Sequence, residues 1–243
     1  MSAVNSPQQE QEDVLSYLYT KTINCPVCNK EFIDFLVRKS KLRAINMDTD
    51  FRPHYKTIDP NHYEVIHCSN CGYTALNNYF SRLTSRQQEM IQEKITPNHK
   101  PIEYPVPFSE QDVLVRFKKA LTCANAISGK ISMKAIICLK TAWVYRDLND
   151  AANEKLYLSA ALKGLKEAYT TESFPLGNMD EPTTKYMLAE LSRRLGQTEE
   201  AMRFISDLVV ARGIPSGLKE RALAMKELIR SQMTGEAEEV EET

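Results

Sequence analysis

An α+β fold is predicted for this chain: a small zinc-ribbon-like β module followed by an all-α, tetratricopeptide-like array of helical hairpins. Three observations predict it. Two CxxC pairs, Cys25-Pro26-Val27-Cys28 and Cys68-Ser69-Asn70-Cys71, fall in the first third of the chain. Stretches rich in β-formers lie between them, and from Thr74 onward apolar residues recur at helical spacing.

Two cysteines separated by two residues point both sulfurs inward from one tight knuckle, and two knuckles close a tetrahedron. Four thiolates at about 2.3 Å suit zinc held in a closed, structural site. Each pair carries turn chemistry: Pro26 fixes its own torsion, while Asn29 and Gly72, just after the second Cys of each pair, tolerate the left-handed backbone. Cys25, Cys28, Cys68 and Cys71 are therefore the expected zinc ligands; iron in a rubredoxin-like site would use the same four sulfurs. A thioredoxin-like reading fails, since neither pair opens a helix in a βαβ setting. Residues 29–67 separate the pairs, against about fifteen to twenty in a compact ribbon. Doubling a loop adds only about 0.6 kcal/mol of closure cost, far below the roughly 10 kcal/mol a structural zinc supplies, so the inserted stretch is tolerable and expected to be structured.

Residues 1–13 are polar, aperiodic and expected to be mobile. Order is expected from near Tyr17, in a metal module with its following helix over 14–96. Residues 31–38 and 42–45 read as a hairpin turning at Lys39-Ser40-Lys41, and 62–67 as a third strand leading to Cys68. Ala75, Tyr79, Phe80 and Leu83 begin the helical pattern, and Thr84 or Ser85 caps the next helix. Four prolines in 97–108 mark a stiff connector. Ser109-Glu110-Gln111-Asp112 resembles a capping box and opens a helical domain over 109–233, with further helices near 132–149, 152–171, 182–196, 198–212 and 216–233. The segment Leu188-Ala189-Glu190-Leu191 through Gly196 to Ala201 carries the repeat logic: small alanines where paired helices meet, and glycine at the turn. Residues 234–243 form an acidic tail expected to stay solvated.

The composition, 42% hydrophobic and 26% charged, is that of a globular protein, and a net charge of −1 argues against a generic nucleic-acid binder. No apolar run reaches the length of a membrane span, and the polar N-terminus is unlike a signal peptide. With paired CxxC motifs, the expected compartment is the reducing cytoplasm, without membrane association.

Cys25-Pro-x-Cys28, Asp48-x-Asp50-Phe51-x-x-x-Tyr55, Cys68-x-x-Cys71-Gly72-Tyr73 and Leu191-x-x-Arg194-Leu195-Gly196 together resemble a bacterial family catalogued as domain of unknown function 2225, over about Tyr19 to Met233. The resemblance implies metal binding by the four cysteines and a helical tail, and implies no activity.

Three functional readings follow. The first is a non-catalytic adaptor, its helical array binding a protein or peptide, with Asp48, Asp50, Arg52, His54 and Tyr55 as a polar recognition loop. The second is a nucleic-acid-binding ribbon whose tip, Arg38, Lys39, Lys41 and Arg43, contacts phosphate. The third is a metal-dependent hydrolase using Asp48, Asp50 and the histidines His54, His62 and His67. HExxH, a P-loop and a nucleophile elbow are missing from the sequence, which argues against an enzyme. Cys123, Cys138 and Trp143 lie on apolar helix faces and read as core.

Overall fold

A computed structural model describes residues 13–241, with side chains through residue 235. The mobility expected of residues 1–13 concerns, except for Asp13, positions outside this range, as do the last two residues of the acidic tail. The class is α+β, with short antiparallel strand pairs followed by helices.

The described chain divides into two compact units. One comprises 13–46, 53–129 and 143–149; the other comprises 47–52, 130–142 and 150–241. In the first, β1 (Leu18–Asn24) pairs with β2 (Glu31–Val37), from Leu18 opposite Val37 to Asn24 opposite Glu31. β3 (Ala44–Met47) pairs with β4 (Pro53–Tyr55), and β5 (Val65–His67) with β6 (Thr74–Leu76). The pairing therefore differs from the expected hairpin of 31–38 with 42–45, and residues 39–41 form a single 3-10 turn instead. Each CxxC knuckle is itself the turn of a hairpin, so β1 meets β2, and β5 meets β6, across the cysteines. β1 escaped the sequence reading because five of its seven residues are exposed, leaving almost no alternation to detect.

Along β2 the alternation is clear: Phe32, Asp34 and Leu36 are buried while Glu31 and Ile33 are exposed. An aspartate in that series needs partners, because an unpaired buried charge is costly. Asp34 Oδ2 accepts from Arg116 Nη2 at 2.7 Å and from the His67 amide at 3.0 Å, and Oδ1 accepts from the Phe35 amide at 2.8 Å. Arg116 also donates to the Val65 carbonyl and lies over the rings of Phe108 (4.5 Å) and Tyr104 (5.3 Å). One buried guanidinium thus ties β2, β5 and the 97–108 stretch to a helix.

That helix is α3 (Glu110–Ala126), preceded by α1 (Asn77–Phe80) and α2 (Ser85–Lys94). Both longer helices begin with reciprocal capping, Ser109 with Asp112 as the sequence predicts and Thr84 with Gln87 where the sequence offers Thr84 or Ser85 only as a cap. Val113, Phe117, Ala120 and Ala124 form the buried face of α3.

α4 (Ile131–Asp147) contributes residues to both units. In the second unit Glu172 reaches the start of α4, accepting from the Ile131 and Ser132 amides at 2.6 and 3.2 Å. Gly164 of α5 (Ala151–Thr171) faces Ala135 so closely that a Cβ there would come within 2.9 Å of the alanine methyl. α6 (Glu181–Arg194), α7 (Thr198–Val210) and α8 (Ser216–Glu241) follow, each packed on the one before. Ala189 and Ala201 are fully buried, and Gly196, at φ +73°, makes the turn between α6 and α7. None of the described helices is long and apolar enough to cross a membrane.

Candidate metal centre

The two knuckles share one hydrogen-bond pattern. The Cys25 amide donates to the Lys30 carbonyl at 3.0 Å and the Asn29 amide to the Cys25 carbonyl at 3.0 Å; the Cys68 amide donates to Tyr73 and the Gly72 amide to Cys68, both at 2.9 Å. Asn29 (φ 56°) and Gly72 (φ 80°) take the left-handed backbone this turn requires. The same coil aims amides at sulfur: those of Val27 and Cys28 at Cys25, and those of Asn70 and Cys71 at Cys68.

Facing one another, the knuckles bring the four sulfurs within 4.8 Å. Cys25 Sγ lies 3.6 Å from Cys71 Sγ, and Cys28 Sγ 3.8 Å from Cys68 Sγ. These separations exclude disulfides, whose sulfurs sit about 2.05 Å apart. They match the roughly 3.8 Å edge of a tetrahedron whose corners lie about 2.3 Å from a central ion. Cys25, Cys68 and Cys71 are buried and Cys28 is partly exposed.

Without a cation so dry a cluster tolerates little negative charge. Cys68 is held below the ordinary thiol range by the neighbouring thiols of Cys25 and then Cys71, against the cost of burial. The corresponding effect pushes Cys25 up to about 12, chiefly through its bond to Cys68, and raises Cys71, chiefly through its bond to Cys25. One thiolate is thus served by its neighbours' S–H groups. Converting the others to thiolates calls for a metal ion, and the four-cysteine cluster is suited to hold one.

Other residues brace the knuckles, and the CxxC spacing gave no sign of them. Gln92 Nε2 on α2 donates to the Val27 carbonyl at 2.8 Å, and Thr96 Oγ1 to the Cys71 carbonyl at 3.2 Å. His99 Nε2 meets the Ser69 carbonyl at 2.8 Å, and its ring presses on Gly72. His67, one of the histidines of the hydrolase reading, is buried with Nδ1 2.8 Å from Thr74 Oγ1. Burial, then the charges of Lys119 and Arg116, lowers it to about 3, so it is a neutral packing group. Cys123 and Cys138 are buried and pushed up to about 11 by burial, as inert core thiols are.

The other sequence candidates lie elsewhere. Asp48 and Asp50 belong to the second unit, and His54, His62 and His67 to the first. Asp50 is fully buried: its Oδ2 lies 3.8 Å from Arg194 Nε on α6, and its Oδ1 accepts from the Arg52 amide at 3.4 Å. Thr49 Oγ1 donates to Glu190 Oε1 at 2.5 Å, and Glu190 also accepts from Arg193 and Arg194. Phe51 packs on Tyr186 at 4.8 Å, and Arg52 is buried. His54 and Tyr55 lie on β4, both partly buried. Arg38, Lys39, Lys41 and Arg43 are all exposed, and two aromatics accompany them: Arg38 lies over Tyr19 at 5.4 Å and Lys41 over Tyr17 at 5.6 Å.

Two strand pairs closed by cysteine knuckles that could hold a metal ion, on a chain that continues as packed helices, define an α+β protein with a four-cysteine cluster. The chain belongs to a bacterial family described as an uncharacterized protein conserved in bacteria, domain of unknown function 2225, whose family model matches residues 18–234. Neither a curated protein nor a solved structure matches it.

Proposed function

We propose that the chain is a zinc-organised, non-catalytic adaptor whose helical unit binds a protein or peptide partner. The observation that carries this reading is the closed shell: four mutually close sulfurs satisfy a tetrahedral ion completely and leave no position for a substrate, the signature of a structural site. Zinc fits such a site best, and elemental analysis with the colour of the purified protein separates it from iron. The helices support the second half of the proposal, with the tetratricopeptide-like pattern around Gly196 and with Val210, Leu223 and Leu228 exposed at 79%, 47% and 44%. In this reading the protein works in the reducing cytoplasm, where its thiols persist. Crosslinking of the intact chain in its own cells tests it. A partner whose capture is lost in Leu223→Glu with Leu228→Glu is expected; capture indifferent to both substitutions overturns the adaptor.

A second reading, nucleic-acid binding, gains from the cation–aromatic pairs at the tip, since stacked arginine and tyrosine suit unpaired bases. It requires salt-sensitive binding of single strands that reversing Arg38, Lys39, Lys41 and Arg43 abolishes. The hydrolase reading has least support: Asp48 and Asp50 join neither of the two clusters of metal-ligating side chains among the described residues.

A further inference from the structure

We infer that Asp59, His62 and Asp147 form a second cation site in the first unit, taking a divalent first-row transition ion. One carboxylate oxygen from each aspartate and one imidazole nitrogen of His62 lie within 4.8 Å of one another. The three come from two segments far apart in sequence. Asp59 caps the 3-10 turn Pro60–Tyr63, its Oδ1 accepting from the Asn61 amide at 2.8 Å, and this turn places His62 beside it. Asp147 is the last residue of α4, where the helix dipole favours a cation and disfavours a carboxylate.

A second observation is independent of the carboxylates: Nε2 of His62 is shut off from solvent and has no hydrogen-bond partner. An imidazole nitrogen in that state normally finds a donor, an acceptor or a metal. Two carboxylates and one imidazole form a mixed oxygen and nitrogen set that suits manganese, iron, cobalt or zinc, and leaves positions for water or a ligand oxygen. The soft four-sulfur cluster selects differently, so the two sites are separable by the choice of ion.

The test uses the intact, zinc-loaded chain and Mn2+ alone, with free Mn2+ followed by electron paramagnetic resonance. One Mn2+ bound per chain is expected, with affinity at least about tenfold weaker in His62→Ala and in Asp147→Asn. Asp147 is exposed at a helix end, so Asp147→Asn should keep its fold and zinc content and carries the test should His62→Ala fail to fold. Asp48→Asn, outside the cluster, should bind as the parent does. Absence of Mn2+ binding, or equal binding by Asp147→Asn and the parent, overturns the site. Zinc content and partner capture read the adaptor proposal separately.

Discussion

At Gly72 two demands fall on one residue. Its φ of +80° costs an L side chain about 1–2 kcal/mol, and a Cβ there would sit 2.7 Å from two atoms of the His99 ring. Gly72→Ala should therefore lower stability by more than the backbone term alone, whereas Asn29→Gly, at φ 56°, should be tolerated; thermal melts of the metal-loaded proteins compare them. The cysteines predict a pH dependence. Cys25, near 12, and the raised Cys71 hold their protons at neutral pH and must release them to bind metal. Metal affinity should then rise with pH through the neutral range, about tenfold per unit for each proton released. Calorimetry in buffers of differing ionisation enthalpy would count those protons, and finding none would contradict thiol ligation. At this scale much was legible: the cysteines, the left-handed Asn29 and Gly72, and both helix caps are local patterns within a few residues of chain.

Among elements, the pairs that matter join distant residues. Asp34 and Arg116 are 82 positions apart and both almost fully buried, so neither could be singled out from its own neighbourhood. Breaking such a pair on one side leaves an unmatched charge and should cost about 3–5 kcal/mol. Arg116→Met alone should meet that penalty. Combined with Asp34→Asn it should recover part of the loss, as denaturant titration would show; equal losses would mean that the guanidinium stabilises through its stacking on Phe108 and Tyr104. Strand partnering was illegible for a related reason: alternation marks residues 31–37 as a strand but does not say which segment lies alongside, and the exposed partner 18–24 carries no pattern of its own. The polar loop shows the same limit. Asp50 and Arg52 looked like surface recognition groups because nothing nearby in sequence announces Glu190 or Arg194, which lie 141 and 145 positions from the neighbouring Thr49.

For the whole molecule, the order of the chain is not the order of its units. Residues 47–52 leave between two paired strands of the first unit and count, by their contacts, with the helices of the second. A fragment of residues 109–233 would contain the helices yet lack Thr49, Asp50 and Phe51, stripping cover from Glu190 and Tyr186. It should melt below the temperature at which the same helices unfold in the full chain, and a peptide of residues 45–54 added in trans should raise its melting point. No response to the peptide would show that the helices hold without it. The six-residue excursion also means that no single cut leaves the helical unit with all of its residues: a ribosome makes residues 47–52 before the helices they pack on, and a gene truncated to either half would encode that unit incomplete.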